Sequence, residues 1–186
     1  MEDAKKKKIS QACWLIFLGE GIKLVVALLY ASSLEGVLAS AVGGALMLAG
    51  LFLLRKEHPA YGRALYLGEG QLVFALGGGL MGESLLATIV TLIGQLLFVG
   101  EIFFFGLAME ELLKGKGKIE LAKRCLMIRQ MFLIYVVVNV AGVVFSIVPL
   151  FQDAASVALT FTALFWIVAS GTFLIFLTQC AKAVQE

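Results

Sequence analysis

The sequence predicts an all-α polytopic membrane protein in which six transmembrane helices form three tandem α-hairpins. The first observation is composition: 61% of the 186 residues are hydrophobic, well above the roughly 45–50% of an average soluble domain. The second is a set of six apolar stretches, each long enough for a bilayer crossing of about 20 residues. The third is that basic residues are confined to alternate connections. Six spans use nearly the whole length, so residues 1–186 are predicted to form a single integral membrane domain.

The six apolar stretches follow one another with short connections. They cover residues 9–31, 34–54, 64–80, 84–108, 130–148 and 154–177. Paired in order they give hairpins over residues 9–54, 64–108 and 130–178, with a basic cytoplasmic loop and helix at 109–129. The first stretch follows four lysines, as in a signal peptide, but it runs past Glu20 without a convincing cleavage site. It is therefore predicted to be the first membrane helix.

The distribution of charge predicts the orientation of the chain. Fourteen of the fifteen basic residues lie on one side of the predicted hairpins. These are Lys5, Lys6, Lys7, Lys8, Arg55, Lys56, Arg63, Lys114, Lys116, Lys118, Lys123, Arg124, Arg129 and Lys182. The charged residues at the opposite turns are all acidic, namely Glu35, Glu83 and Asp153. The positive-inside rule then places both termini in the cytoplasm of a cell (inner or plasma) membrane. There the basic side faces anionic inner-leaflet lipids.

An internal repeat supports the hairpin arrangement. The segment Leu-Gly-Glu-Gly occurs at 18–21 and again at 67–70, and both copies are followed by Leu-Val-x-Ala-Leu. Gly44 and Gly50 match Gly94 and Gly100 at an offset of fifty residues. The third hairpin is a diverged copy in which Thr172 stands where Glu101 stands in the second. Two-span units repeat in parallel orientation about an axis along the membrane normal.

Four ionisable side chains inside the apolar stretches are the candidates for function: Glu20, Lys23, Glu69 and Glu101. At about 1.5 Å per residue, the three glutamates lie at similar depth in the inner third of the bilayer. A charge at the membrane centre costs about 2.5–3.5 kcal/mol on insertion scales and marks conduction pathways. Lys23 can pair with Glu20, yet one lysine cannot neutralise three acids. The pattern predicts a site for protons, a cation or a small cationic solute.

Further polar and small residues surround this predicted site. Tyr135 and Asn139 lie one turn apart on the fifth helix, and with Thr172 they are predicted to line it. Small residues that allow close helix approach are predicted to mediate packing. These are Gly36, Ser40, Gly43, Gly44, Gly50, Gly94 and Gly100.

Two functions remain open from the sequence. The first is a transporter-like or channel-like protein with an intramembrane carboxylate site. The second is a non-transporting scaffold or accessory subunit whose buried polar cluster is structural, working as a homo-oligomer or in a larger membrane complex. An enzyme is not expected, because the chain has neither H-E-x-x-H nor G-x-S-x-G. No catalytic residue, metal, cofactor or nucleic-acid partner is predicted, and the three cysteines are expected to be reduced thiols.

Overall fold

The protein is all-helical in a computed structural model that describes residues 2–30, 33–82 and 84–185. The predicted turn residue Glu83 lies outside these residues. The described chain folds into six α-helices: α1 (Glu2–Leu29), α2 (Leu34–Leu54), α3 (Pro59–Leu80), α4 (Leu85–Gly115), α5 (Ile119–Ile147) and α6 (Gln152–Ala183). A short 3-10 turn at Pro149–Phe151 precedes α6. Ser33 caps α2, because its side chain accepts a hydrogen bond from the Gly36 amide at 3.0 Å.

Five of the six helices are long and apolar enough to cross a membrane by length and composition, namely α1, α2, α4, α5 and α6. The prediction of a helical membrane protein is confirmed in this form. α3 falls short because Arg63, Glu69 and Gln71, together with its glycines, lower its mean hydropathy. The sixth span, the tandem repeat and the orientation of the termini stay predictions.

The six helices form a closed ring. Each helix packs against its neighbours in the chain, and α1 also packs against α6. Most of the buried hydrophobic core lies toward one end of this ring, between Ile9 and Ile16 on α1 and from Ala169 on α6 to Val184 just after it. This end carries the basic connections, and we call it the basic end. Toward the opposite end, the helices expose most of their large hydrophobic side chains.

Three phenylalanine rings fill the centre of the ring of helices. Phe105 of α4 packs edge-on against Phe173 of α6 at 5.8 Å between centroids, and Phe173 packs edge-on against Phe132 of α5 at 6.1 Å. All three side chains are buried. Edge-to-face aromatic pairs of this kind add about 0.5–1.5 kcal/mol each beyond the area they bury. We call Phe105, Phe132 and Phe173 the aromatic plug.

Ion pairs fasten the connections at the basic end. Lys5 and Lys8 at the start of α1 both reach Glu57 between α2 and α3, at 3.0 and 2.9 Å. Arg129 of α5 donates to Glu110 of α4 at 2.5 Å. The charged residues that the sequence places at one side are therefore also joined to one another across helices.

Glycine allows the closest helix contact, which joins α1 to α2. A Cβ atom on Gly43 would lie 2.6 Å from the carbonyl oxygen of Gly19, and one on Gly50 would lie 2.8 Å from that of Ala12. These distances are too short for any side chain without moving a backbone. The small residues at both positions therefore set the separation of the two helices.

The other residues predicted to mediate packing lie in different contacts. A Cβ atom on Gly36 would collide with the Tyr30 carbonyl in the turn before α2. A Cβ atom on Gly44 would lie 3.0 Å from the Leu72 side chain of α3, and one on Gly100 would lie 3.0 Å from the Leu67 side chain. Gly94 faces the α3 backbone at Phe74 and Ala75, whereas Ser40 lines a cavity between α1, α2 and α3.

Candidate functional site

Glu20 lies at the centre of the polar groups in the core. Its side chain is 0% exposed, and its Oε1 atom accepts a hydrogen bond from Ser170 of α6 at 2.7 Å. Its Oε2 atom has no hydrogen-bond partner among the described residues. The nearest cation is Lys23 Nζ, one turn along the same helix at 3.6 Å. A buried acceptor without a donor costs about 1–3 kcal/mol, and more when it is charged, so this oxygen requires a proton, a cation or water.

Lys23 is the cation of this cluster, and it is only 8% exposed. Its Nζ atom lies 3.9 Å from the centre of the Phe98 ring and 3.8 Å from the sulfur of Met47. Within the described chain it has no oxygen acceptor at hydrogen-bond distance. The ammonium is thus stabilised by a cation–π contact and by Glu20 Oε2 at 3.6 Å, a set of partners weaker than the oxygen atoms it would find in water.

Glu101 of α4 supplies the second buried acid. It is 2% exposed, and its carboxyl carbon would lie 3.0 Å from a Cβ atom on Gly68 of α3. The missing side chain at Gly68 therefore makes room for this carboxyl group. Both Glu20 and Lys23 act on Glu101 electrostatically. The structure thus brings together two acids and one lysine, which together with Ser170 we call the carboxylate cluster.

Two of the residues predicted for the site lie apart from this cluster. Glu69 is exposed on α3, although it occupies the same place in its Gly-Glu-Gly segment as Glu20 does. Thr172 is half-buried and donates its hydroxyl hydrogen to the Val168 carbonyl of its own helix at 2.8 Å. The third acid and the threonine therefore do not join the carboxylate cluster.

Tyr135 and Asn139 lie inside the ring, on the side of the cluster away from the basic end. Both are buried, and the Asn139 amide donates a hydrogen bond to Gln95 of α4. Together with Gln95 they line a cavity of about 310 Å³ beside Thr162 and Trp166. Asn139 and Gln95 also line a second cavity of about 580 Å³ that continues past α3 and α4 to Ser84. Polar side chains therefore extend from the opposite end toward the cluster.

The other side of the cluster is closed by the aromatic plug. Phe105 follows Glu101 by one helical turn, Phe173 follows Ser170, and Phe132 precedes Tyr135. Because α5 is antiparallel to α4 and α6, a residue that precedes on α5 lies at the same end as residues that follow on α4 and α6. All three rings therefore lie on the basic-end side of the polar groups. The cluster is therefore separated from the basic end by apolar side chains.

Ser170 is a member of the site that sequence reasoning missed. It is 0% exposed and supplies the only hydrogen bond to the Glu20 side chain from the described residues. A serine in an apolar helix is weak evidence for a functional site, because its hydroxyl can donate a hydrogen bond to a backbone carbonyl in the preceding turn of its own helix. Only the packing of α1 against α6 distinguishes it from Thr172 nearby.

The fold and these buried charges define a multi-pass helical membrane protein. No family model, curated protein or solved structure matches the chain. In the described residues, no group of three or more histidine, cysteine, aspartate or glutamate side chains is arranged to hold a metal ion. The particular function must therefore be argued from the carboxylate cluster.

Proposed function

We propose that this protein is a small transporter-like or channel-like membrane protein whose carboxylate cluster binds and releases protons. The observation that carries the proposal is the Oε2 atom of Glu20, which is buried without a hydrogen-bond partner in the described chain. It lies beside a lysine with weak partners and close to a second buried acid. Intramembrane acids in such surroundings are characteristic of proton and ion pathways.

The charges of the cluster favour a proton as the bound species. Lys23 can balance one carboxylate, so Glu20 and Glu101 together leave one negative charge in excess. A buried charge without a counter-ion is too costly to persist, and the acid takes up a proton instead. A hydrated metal ion or a cationic solute needs more room than two carboxyl groups that are 0% and 2% exposed provide. Of the three ligands expected from the sequence, namely protons, a cation and a small cationic solute, we therefore propose the proton.

Access to the cluster is proposed from the end opposite the basic connections. The cavities beside Asn139 and Gln95 supply polar walls on that side, and water held there can relay protons to Tyr135 and Glu20. The aromatic plug excludes water on the other side. A transport cycle then requires the plug to open when the cluster is protonated.

The proposed topology has six spans with both termini in the cytoplasm of the cell membrane. α3 is the sixth span: it packs between α2 and α4, and its 22 residues reach about 33 Å at 1.5 Å per residue. Three parallel hairpins then place the basic end in the cytoplasm, against anionic lipids. The cavities beside Asn139 open to the outside in this arrangement.

A proton-flux assay tests the function. The purified protein is reconstituted in vesicles that contain a pH-sensitive dye, and an imposed pH gradient is followed with time. We expect Glu20→Gln and Glu101→Gln to reduce protein-dependent flux at least about tenfold, as for loss of an essential proton carrier. Glu69→Gln is the matched control, since it changes the same motif at an exposed position, and its flux should equal that of the unchanged protein. Unchanged flux in both buried-site variants, with folding verified by circular dichroism, would overturn the proposal.

A scaffold or accessory subunit is the second candidate. It is favoured by the hydrogen bond from Ser170, which together with Lys23 holds Glu20 in one orientation and could fix the register of α1 against α6. The basic residues of 109–129 would then dock a second copy or a larger complex. In that case Glu20→Gln lowers thermal stability and co-purification of partners, while flux is absent from the unchanged protein as well.

A further inference from the structure

A cavity of about 200 Å³ lies between α1, α2 and α3, separate from the polar cavities already described. Tyr30 and Gly36 line it at the ends of their helices, and Lys23 and Gln71 line it deepest within the fold. Seven residues separate Lys23 from Tyr30, which corresponds to about 10 Å along α1. The cavity is therefore a short pocket whose mouth lies at the end opposite the basic connections.

The inner end of this pocket holds two polar side chains, and the partners of Lys23 are the Glu20 carboxylate at 3.6 Å, the Phe98 ring and the Met47 sulfur. Lys23 has no oxygen acceptor at hydrogen-bond distance in the described chain, and the Gln71 amide, though buried, makes no side-chain hydrogen bond there. Ammonium and amide N–H groups each need an acceptor when they are removed from water. A ligand that carries oxygen atoms would satisfy both.

The charge and the walls of the pocket define the remaining chemistry. Among the described residues, Lys23 is the only charged one that lines it, so a ligand of negative charge is favoured and a cation is repelled. Most of the other lining side chains are apolar: Val26, Ala27, Val37, Ala41, Leu72, Ala75 and Leu76. The volume corresponds to about six or seven water molecules at about 30 Å³ each. This is room for a short hydrocarbon chain and one small polar group.

We infer that this pocket binds a small carboxylate with a short apolar tail. The carboxylate oxygens accept hydrogen bonds from Lys23 and Gln71, and the tail lies along the apolar walls toward Tyr30. This inference about binding depends only on the pocket and does not require the proposed function.

The connection to proton movement rests on the proposed function. A carboxylate that pairs with Lys23 removes the counter-ion of Glu20, and Glu20 then takes up one proton from the outer aqueous phase. One anion and one proton enter together, so the charge of the site does not change. The other titratable groups near Glu20 are Glu101 on α4 and Tyr135 on α5, and both keep their protonation state in this step.

Equilibrium dialysis of the purified protein against radiolabelled butyrate, pentanoate and hexanoate tests the binding. We expect affinity to rise about fourfold for each added methylene, which corresponds to burial of about 0.8 kcal/mol per group. Hexylammonium, which has the same tail and the opposite charge, should bind at least about a hundredfold more weakly. Protein-free micelles measure the background from partitioning into detergent.

Two variants locate the site. Ala41→Leu adds three carbon atoms to the pocket wall and should reduce hexanoate binding at least about tenfold, whereas Ala45→Leu, an exposed alanine one turn further along α2, should leave it unchanged. Lys23→Met should abolish the preference for hexanoate over hexanol; if that variant does not fold, Ala41→Leu still decides the matter. Equal binding of hexanoate and hexylammonium, or equal binding by both alanine variants, would overturn the inference.

Proton uptake separates this inference from the proposed function. In a weakly buffered solution above pH 6, saturation with hexanoate should take up about one proton per protein, and Glu20→Gln should bind hexanoate without that uptake. If the unchanged protein binds hexanoate without taking up a proton, the coupling of anion binding to protonation of Glu20 is wrong and the binding pocket is confirmed. Absence of binding with normal proton flux would overturn the pocket alone.

Discussion

The two Gly-Glu-Gly segments show how far one residue's surroundings decide its role. Glu20 is fully buried and bonded to Ser170, while Glu69 occupies the matching position on α3 and is exposed. The difference comes from helix rotation: α1 turns its glutamate toward α6, and α3 turns Gly68 toward Glu101 instead. The second segment therefore contributes the space for an acid rather than the acid itself.

Removal of the Ser170 hydroxyl is expected to destabilise the cluster. Ser170→Ala leaves Glu20 Oε1 without its donor, and hydrogen bonds to charged groups contribute about 1.5–3 kcal/mol. Chemical unfolding in detergent should show a loss of that size in the free energy of unfolding. Thr172→Val is the control, because that hydroxyl only bonds its own helix, and a change below about 0.5 kcal/mol is expected. Equal losses for both variants would show that the bond to Glu20 contributes nothing.

Part of the candidate site was predictable from the sequence, and a specific part was not. The Glu20–Lys23 pair follows from a spacing of three residues on one helix, and the buried Tyr135 and Asn139 follow from their one-turn spacing. The positions of Glu69, Thr172 and Ser170 depend on how α3 and α6 rotate about their axes. Hydrophobic periodicity fixes rotation poorly in a membrane, because the lipid-facing and core-facing sides of a helix are both apolar.

The contact of α1 with α2 shows the same dependence at the level of elements. The two helices approach until the backbone at Gly43 meets the backbone at Gly19, and this closeness positions Lys23 against α2. In turn, Lys23 lies where it can reach Glu20, Phe98 and the small pocket. The helix spacing that glycine permits is therefore a condition for the polar site.

A single added methyl group should test this contact. Gly43→Ala places a Cβ atom 2.6 Å from the Gly19 carbonyl oxygen, so the helices must separate, at a cost of about 1–3 kcal/mol. Gly21→Ala, on the same pair of helices, meets nothing within 4 Å and should stabilise the protein by about 0.5–1 kcal/mol through helix propensity. Unfolding free energies of the two variants check the signs. A stabilising Gly43→Ala would mean that the helices are further apart than described.

The ion pairs that join α1 to the α2–α3 connection should make the stability of the protein decrease at acid pH. Hydrogen bonds from Lys8 and Lys5 hold the pKa of the Glu57 carboxyl below its ordinary value of 4.5. The pairs therefore contribute stability above that value, and the contribution is lost as pH falls through the lower, folded-state pKa. For pairs near the surface the loss is about 1 kcal/mol or less.

Thermal unfolding at a series of pH values checks this link. Glu57→Gln should lower the melting temperature at neutral pH, and the difference from the unchanged protein should shrink progressively as pH falls below 4.5 and Glu57 becomes protonated. Glu35→Gln removes an exposed carboxylate for which the described residues provide no ion pair, and it is the control for the loss of one acid. A constant difference between Glu57→Gln and the unchanged protein would exclude the ion pairs as its cause.

The whole molecule is asymmetric along its axis. Its core, its aromatic plug and the ion pairs of its connections lie toward the basic end, while the polar cavities beside Asn139 and Gln95 lie toward the other. The helical class and this polarity of charge were both predictable, because composition and lysine position report them directly. Whether α3 is a membrane span could not be predicted as securely, since Arg63, Glu69 and Gln71 lower its mean hydropathy, and hydropathy alone cannot distinguish such a helix from a peripheral one.

Cysteine labelling tests the proposed six-span topology. The three native cysteines are buried, so a membrane-impermeant maleimide should leave them unmodified. Cysteine introduced at Lys7 or Lys182 should react only from the cytoplasmic side, and Leu150→Cys, at a position 85% exposed, only from the outer side. If the cysteines introduced at Lys7 and Lys182 were labelled from opposite sides of the membrane, the chain would have five spans instead of six.

The aromatic plug has an electrical consequence under the proposed function. Water in the outer cavities would carry the outside potential close to the carboxylate cluster, and most of the transmembrane voltage would then fall across the thin dry layer of rings. A charge that crosses this layer experiences nearly the full field, about 2.3 kcal/mol per elementary charge for 100 mV. The step between the cluster and the cytoplasm is thus the one that responds to membrane voltage, and filling the outer cavities responds mainly to the external proton concentration.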